Sequence, residues 1–268
     1  AFDLHAPTFR HKMYDAYKGT RKPMPEELRE QVPLIKEVLT AMDVAIVTME
    51  GYEADDLLGT VAKKAEADGL EAVVVSGDRD LLQLATKKIK ISIPKTKKGV
   101  TEIENYYWDN VIDLYNVNPR EFIDVKALMG DASDNIPGVT GIGEKTASKI
   151  IAQYHSIENA YEHIEEITPN KAKLSLQAEY DIARLSKTLA TIDTQVPLDI
   201  SYKDGEIQDI YNDASYEEIS KLEFKSILAK FNKNGVVANE TVDLDSLTKE
   251  IKDLNTFNKM IKEIKDKE

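Results

Sequence analysis

The 268-residue sequence predicts an α/β fold in which a mostly parallel sheet covered by helices is followed by a largely helical region. Three observations carry that reading. The runs Val44-Ala-Ile-Val-Thr48 and Ala72-Val-Val-Val-Ser76 are short and almost wholly apolar, as strands buried in a parallel sheet tend to be. Between them Leu57, Leu58, Val61, Ala62 and Ala65 share one helical face that stops at Gly69. Beyond Trp108 the strand pattern gives way to helical spacing almost throughout.

In chain order, Ala1-Phe2-Asp3 reads as the last residues of a strand. Ile89 to Ile93 is a further strand, Lys95-Thr-Lys-Lys-Gly99 a basic hairpin tip, and Val100 to Ile103 the returning strand. Leu81 to Ala85 reads as a helical turn, and a later helix ends at Met129. Another helix starts at Glu144 and carries Ala147, Ile150 and Ile151 on its apolar face. The expected boundaries are an α/β part over 1–106, a helical part over 107–231, and a polar linker over 232–243. Residues 244–268 form amphipathic helix, either the start of a further domain or a C-terminal helix packed back on the main body.

Composition narrows the chemistry. With 42% hydrophobic residues the chain can bury a core, and the absence of Cys excludes disulfides, thiolate zinc sites and cysteine nucleophiles. That usage fits a reducing, cytoplasmic setting. The four histidines never fall at ligand spacing, so a bound metal would be held by oxygen, which points to Mg2+ or Mn2+. No apolar run approaches the length of a membrane span, so no membrane partner is expected. A net charge of −13 argues against a nucleic-acid partner, but the charge is unevenly placed. Ile157 to Ser220 is strongly acidic, whereas Arg10, Lys12, Lys18, Arg21 and Lys22 outweigh Asp3 and Asp15 before Pro25. Binding follows local charge, so a basic entry to a working site is compatible with an acidic whole.

Carboxylates gather at strand and helix ends. Asp3 follows the first apolar stub; Glu53, Asp55 and Asp56 open a helix; Asp78 and Asp80 follow Val73-Val74-Val75; Asp131 and Asp134 follow the helix ending at Met129. Carboxyl ends of strands form the ligand crevice of open α/β sheets. So many like charges in one crevice require cations, and two divalent ions would suit in-line phosphoryl transfer. Taken alone, Glu53-Ala-Asp-Asp56 reads more simply as helix capping, and Asp78 with Asp80 equally well as a turn; it is the number of clusters that favours a site.

A second motif is Ile136-Pro-Gly-Val-Thr-Gly-Ile-Gly-Glu-Lys-Thr-Ala147, with Gly138, Gly141 and Gly143 in a tight turn before a helix and Lys145 and Thr146 at its start. Glycines allow close backbone approach, and amides at a helix start attract anions. The pattern is that of a helix-hairpin-helix gripping duplex phosphates without reading bases. Tyr14 and Tyr17 read as helix packing ahead of base stacking, Trp108 as core, and Lys95, Lys97 and Lys98 as a solvated turn.

Taken together, Phe2-Asp3, Phe9-Arg10, Tyr17-Lys18-Gly19 and Arg21, with Gly51-Tyr-Glu-Ala-Asp-Asp56, Gly77-Asp-Arg-Asp80, Gly130-Asp-Ala-Ser-Asp-Asn-Ile-Pro-Gly138 and Gly141-Ile-Gly-Glu-Lys-Thr-Ala147, resemble the 5′-nuclease domains of bacterial DNA polymerase I, in the flap endonuclease family. The resemblance covers Ala1 to Lys230. It implies a PIN/flap-endonuclease-like sheet with helices on both faces and a helical DNA-binding region whose helix-hairpin-helix lies near 131–153. It implies divalent-metal hydrolysis of phosphodiesters at 5′ flaps and nicks, in RNA-primer removal and DNA repair in the bacterial cytoplasm. Asp3, Glu53, Asp55 and Asp56 match the first metal cluster and Asp78, Asp80, Asp131 and Asp134 the second. Arg10, Lys18 and Arg21 match a basic helical gateway near 8–30, with Lys18 and Arg21 at the scissile phosphate beside Asp3, Asp55 and Asp78. Val139, Gly141, Ile142 and Gly143 match a backbone site for a monovalent cation, usually K+.

The family pattern also has an earlier strand with Asp in an Asp-Gly context, which this sequence does not contain. That departure predicts an incomplete first metal cluster and slow turnover. Alternatives are therefore a catalytically impaired fragment that binds branched DNA, or a related metal-dependent ribonuclease. The expected partners are flapped, nicked or branched DNA and RNA primer–DNA junctions, with the chain a monomer and a polymerase domain elsewhere in the full-length protein.

Overall fold

The computed structural model describes residues 1–231; the expected linker and amphipathic helix over 232–268 lie outside them. Three strands form the sheet among the described residues: β1 (Ala72–Val75), β2 (Ile89–Lys97) and β3 (Val100–Tyr106), in that order. β1 and β2 are parallel, with Val74 opposite Ile91. β2 and β3 are antiparallel, with Ile93 opposite Glu104. The α/β class therefore stands, but the sheet is mixed rather than mostly parallel. Only Lys98 and Gly99 connect β2 to β3, both at positive φ (51° and 80°), and a two-residue turn can only return the chain antiparallel. Lys95 and Lys97 consequently belong to β2 and not to the hairpin tip, and Lys95 pairs with Glu104.

Two expected strands do not form. Ala1 to Asp3 and Val44 to Thr48 make no ladder; the Phe2 amide donates to the Val47 carbonyl at 3.1 Å, and that bond alone does not constitute a strand pair. β1 is covered on one face only among the described residues: Val74 is buried, while Val73 and Val75 are 55% and 60% exposed.

α1 (Phe9–Met13), α2 (Glu26–Arg29) and α3 (Gln31–Ala41) precede α4 (Ala54–Ala67), which buries Leu57, Ala62 and Ala65. A 3-10 helix (Arg79–Leu84) follows β1, begun by Asp78, whose carboxylate accepts the Asp80 amide at 2.8 Å. Then come α5 (Trp108–Tyr115), α6 (Pro119–Met129), α7 (Glu144–Tyr154), α8 (Ile157–Glu162), α9 (Asn170–Ala178), α10 (Tyr180–Ala190), α11 (Asp213–Lys221) and α12 (Lys225–Phe231). Of the helices, α4, α5 and the 3-10 helix contact the sheet most. α6 starts from a reciprocal cap of Asn118 and Glu121 with Pro119 in its first turn, so its orphan amides are satisfied where sequence rules expect.

Compactness divides the chain into a unit of Ala1–Val32 with Ala45–Glu206 and a unit of Pro33–Val44 with Ile207 onward. In the first, one apolar core runs from Val74, Ile89 and Ile91 of the sheet through Val125 and Leu128 of α6 to Ile151 and Leu176. The change to helix after Tyr106 is thus a change of secondary structure inside one packed unit. In the second, Phe231 is fully buried against the rings of Tyr211 and Tyr216, and the Asn212 side chain donates to the Ala41 carbonyl at 3.0 Å.

Candidate active site

Carboxylates from distant segments meet in one cavity of the first unit. Glu53 and Asp55 at the start of α4, Asp78 and Asp80 at the end of β1, and Asp134 after α6 line it with Arg10, Tyr17 and the end of α10. Asp3 reaches the same region: its carboxylate accepts the Ala54 amide at 2.7 Å. Asp131 joins through Lys126, whose ammonium lies 2.8 Å from Asp80 and 2.5 Å from Asp131.

Charge is balanced very unevenly. Asp56 is fully buried and forms a double hydrogen bond with the Arg10 guanidinium, both N–O distances being 2.8 Å. It also accepts the amides of Glu53 and Asp193. Arg10 is 3% exposed and spends its other donors on the carbonyls of Leu189 and Thr191. The two expectations there change accordingly. Arg10, expected at the DNA gateway, is shut inside an ion pair, and Asp56, expected as a metal ligand, has its oxygens committed to that pair. Both tie α1, α4 and the end of α10 together.

Glu53 accepts Lys18 Nζ at 2.8 Å and the Tyr17 hydroxyl at 3.1 Å. Asp134 accepts the same Tyr17 hydroxyl at 3.1 Å, pairs with Arg21, and lies 3.9 Å from Lys18. The segment carrying these cations is docked on the Asp134 loop by its backbone as well: Lys18 adopts φ 54° and its amide donates to the Asp134 carbonyl at 2.8 Å, while the Asn135 side chain donates to the Ala16 carbonyl.

Asp3, Asp55 and Asp78, by contrast, enter no ion pair among the described residues. Burial, then the neighbouring Asp78, Asp3 and Glu53, pushes the Asp55 carboxyl up to about 7, with Lys18 offsetting part of the effect. At Asp80 burial outweighs Lys126 and the carboxyl rises to about 6. At Asp131, Lys126 and Ser133 outweigh burial and hold the carboxyl down at about 2. Uncompensated oxygen donors of this kind suit a hard divalent cation. As the side chains stand, no three His, Asp or Glu side chains among the described residues are grouped to hold one, and Lys126, Lys18, Arg21 and Arg10 occupy several of the carboxylates.

The hairpin glycines have different duties. Gly138 (φ 62°) packs on Gly130 (φ 72°) so closely that a Cβ on Gly138 would lie 2.7 Å from the Gly130 Cα, and its amide donates to the Ser186 hydroxyl. Gly138, expected at the DNA surface, is thus a packing residue. Gly141 (φ 79°) faces only Lys171 within 4 Å, and Gly143 faces open space at the start of α7. Val139 and Ile142 are buried anchors, and the Val139 carbonyl accepts the Ile142 amide at 3.0 Å. Lys145 is exposed and Thr146 half-buried. Glu179 accepts the Thr140 amide at 2.7 Å, placing a carboxylate on the hairpin.

Sequence reading missed Lys126, Glu179 and Ser186, and read Tyr17 as helix packing where the structure has it bridge two carboxylates. Lys126 had a faint signal, a cation in the last turn of a helix ending just before Asp131, but that spacing reads equally well as a helix-dipole partner.

Residues 1–116 match the model of the N-terminal resolvase-like domain of 5′-3′ exonucleases, and residues 117–213 that of their C-terminal SAM fold. DNA polymerase I of Bacillus subtilis is 42% identical over 92% of this chain and 28% of its own length. DNA polymerase I of Bacillus caldotenax is 44% identical over 86% of this chain and 26% of its own length. The chain therefore spans little more than a quarter of the curated relatives it matches. Among solved structures, the zinc-bound 5′-exonuclease of T5 superposes with a TM-score of 0.61 at 23% identity, covering 87% of this chain and 80% of that one. A bacteriophage T5 flap endonuclease variant in complex with DNA and metal ions gives 0.60 at 23%, with the same coverage. Both matches show the shared fold. With its resolvase-like and SAM-fold parts present in order, the chain belongs to the 5′-3′ exonuclease family.

Proposed function

We propose that the chain is a structure-specific 5′ nuclease that hydrolyses DNA phosphodiesters at 5′ flaps and nicks, using Mg2+ or Mn2+, for RNA-primer removal and repair. The observation that supports this best is the convergence of Glu53, Asp55, Asp78, Asp80 and Asp134 on one cavity, with Asp3 and Asp131 beside it. Asp3, Asp55 and Asp78 would hold one ion, and Asp80, Asp131 and Asp134 a second. Such ions supply an activated water and stabilise the leaving oxygen. Lys18 and Arg21, now paired with Glu53 and Asp134, would turn to the scissile phosphate and offset its charge. The Gly141–Thr146 amides and Lys145 would grip the duplex backbone, and the carbonyls around Val139 and Ile142 would take K+.

We further propose that it works as a monomer in the bacterial cytoplasm, alongside a polymerase domain in the full-length protein. No helix among the described residues is long and apolar enough to cross a membrane. A labelled 5′ flap, a nicked duplex and single-stranded RNA, each incubated with the protein in Mg2+ and in chelator, test the reading. Metal-dependent release at the flap junction is expected, and preferential RNA cleavage would favour a ribonuclease. Flap binding without release in any metal would favour a branched-DNA binder, a reading supported by the present commitment of several carboxylates to protein cations.

A further inference from the structure

We infer that Lys126 is a built-in counter-ion that competes with a divalent cation for Asp80 and Asp131, making that half of the site the weaker metal binder. The inference rests on the metal-dependent reading above and adds a residue to it. Lys126 belongs to α6, Asp80 to the 3-10 helix and Asp131 to the loop beyond α6, so three elements meet at one ammonium. The lysine is sheltered, its side chain 12% exposed, and both partner side chains are 17% exposed. In so dry a position two carboxylates repel strongly, and a cation between them removes that repulsion.

A divalent ion at the pair would need the same oxygens. The ammonium would have to swing aside, still charged, before the carboxylates could turn to a metal. Metal binding at Asp80 and Asp131 therefore works against an existing ion pair, whereas at Asp3, Asp55 and Asp78 it relieves uncompensated charge. Lys126 is thus a positioning residue: it keeps the pair together without metal and sets how readily it is given up.

Mn2+ titrations of the protein, following free Mn2+ by its paramagnetic resonance signal, test this together with melting curves in chelator. The wild type is expected to show a tighter and a weaker class of site. Lys126→Met should tighten the weaker class by about tenfold, leave the tighter class within about twofold, and lower the melting temperature in chelator, where the two carboxylates then face each other unpaired. Lys126→Arg, which keeps the charge, should preserve the wild-type order. If the methionine variant does not fold, Lys126→Gln removes the charge while keeping a donor and should show the same tightening. An unchanged or weakened second class in the uncharged variants would overturn the inference and leave Lys126 a scaffold residue. A wild type that binds no Mn2+ would overturn the metal reading itself, and the inference with it.

Discussion

The candidate site has two sides that differ in what neutralises them. Glu53, Asp56, Asp80, Asp131 and Asp134 each lie against a protein cation, whereas Asp3, Asp55 and Asp78 have none in ion-pair range among the described residues. The first side is held together by the fold and stable as it stands. The second is electrostatically unfinished, and an external cation would finish it. Buried ion pairs add little net stability when formed but cost much when half-removed, so a ligand on the paired side would have to displace protein cations, whereas one on the unpaired side meets none.

The difference can be broken most forcefully at Arg10. Arg10→Met should leave Asp56 buried and unpaired and cost about 3–5 kcal/mol in urea unfolding. A loss under about 1 kcal/mol would mean that pairing is not what fixes the first side. On the other side, Asp78→Asn should slow flap cleavage at least about a hundredfold, equivalent to about 2.7 kcal/mol of barrier, while flap affinity stays nearly constant. Equal losses in binding and rate would remove Asp78 from a catalytic role.

Acidity sharpens the contrast. The Asp55 carboxyl is raised from its ordinary 3.8 to about 7, so in the metal-free protein its stabilising contribution is complete below pH 3.8 and is lost as pH rises through 7. Asp131, lowered to about 2, behaves oppositely: its contribution is present above pH 3.8 and fades as pH falls toward 2. Melting temperatures in chelator should therefore decline between pH 4 and 7, and Asp55→Asn should flatten that decline; an unaltered slope in the variant would assign it elsewhere. The smallest effects belong to the hairpin. Lys145→Ala should lower the salt slope of duplex binding by about one unit. Gly141→Val, forced into a left-handed backbone, should weaken binding more than Gly143→Val, which meets open space; the reverse order would show that approach to DNA, and not strain, governs both positions.

Much of the fold was legible. Ala72–Val75 is an unbroken apolar run, Ile89–Ile93 alternates Ile with Lys90 and Ser92, and α4, α6 and α7 carry apolar faces at the expected places, α4 and α6 with reciprocal caps at their starts. The hairpin tip was misplaced because Lys95 and Lys97 look like turn residues until Glu104 is set opposite. Val44–Thr48 has strand composition, but a ladder needs a neighbour, and composition does not supply one. At the site, the sequence brought the acids into view but not their partners. Arg10 and Asp56 are 46 positions apart, and Tyr17 bridges Glu53, 36 positions away, to Asp134, 117 positions away. Nothing in local spacing distinguishes a basic residue that meets solvent from one folded onto a buried carboxylate.

The contact between Gly130 and Gly138 has a metrical consequence. A Cβ on Gly130 would lie 2.6 Å from the Ile136 carbonyl oxygen, and Asp131 and Ile136 exchange backbone hydrogen bonds at 2.9 and 2.8 Å. The loop bearing Asp131 and Asp134 and the hairpin that follows are thereby one rigid piece with no slack between them. In a nuclease working as proposed, that piece is a ruler, fixing how many nucleotides separate the gripped duplex from the bond that is cut. Gly138→Ala, which forces the two strands of the ruler apart, should blur the cleavage position on a flap before it abolishes cleavage, and a single sharp product would show that the distance is measured elsewhere.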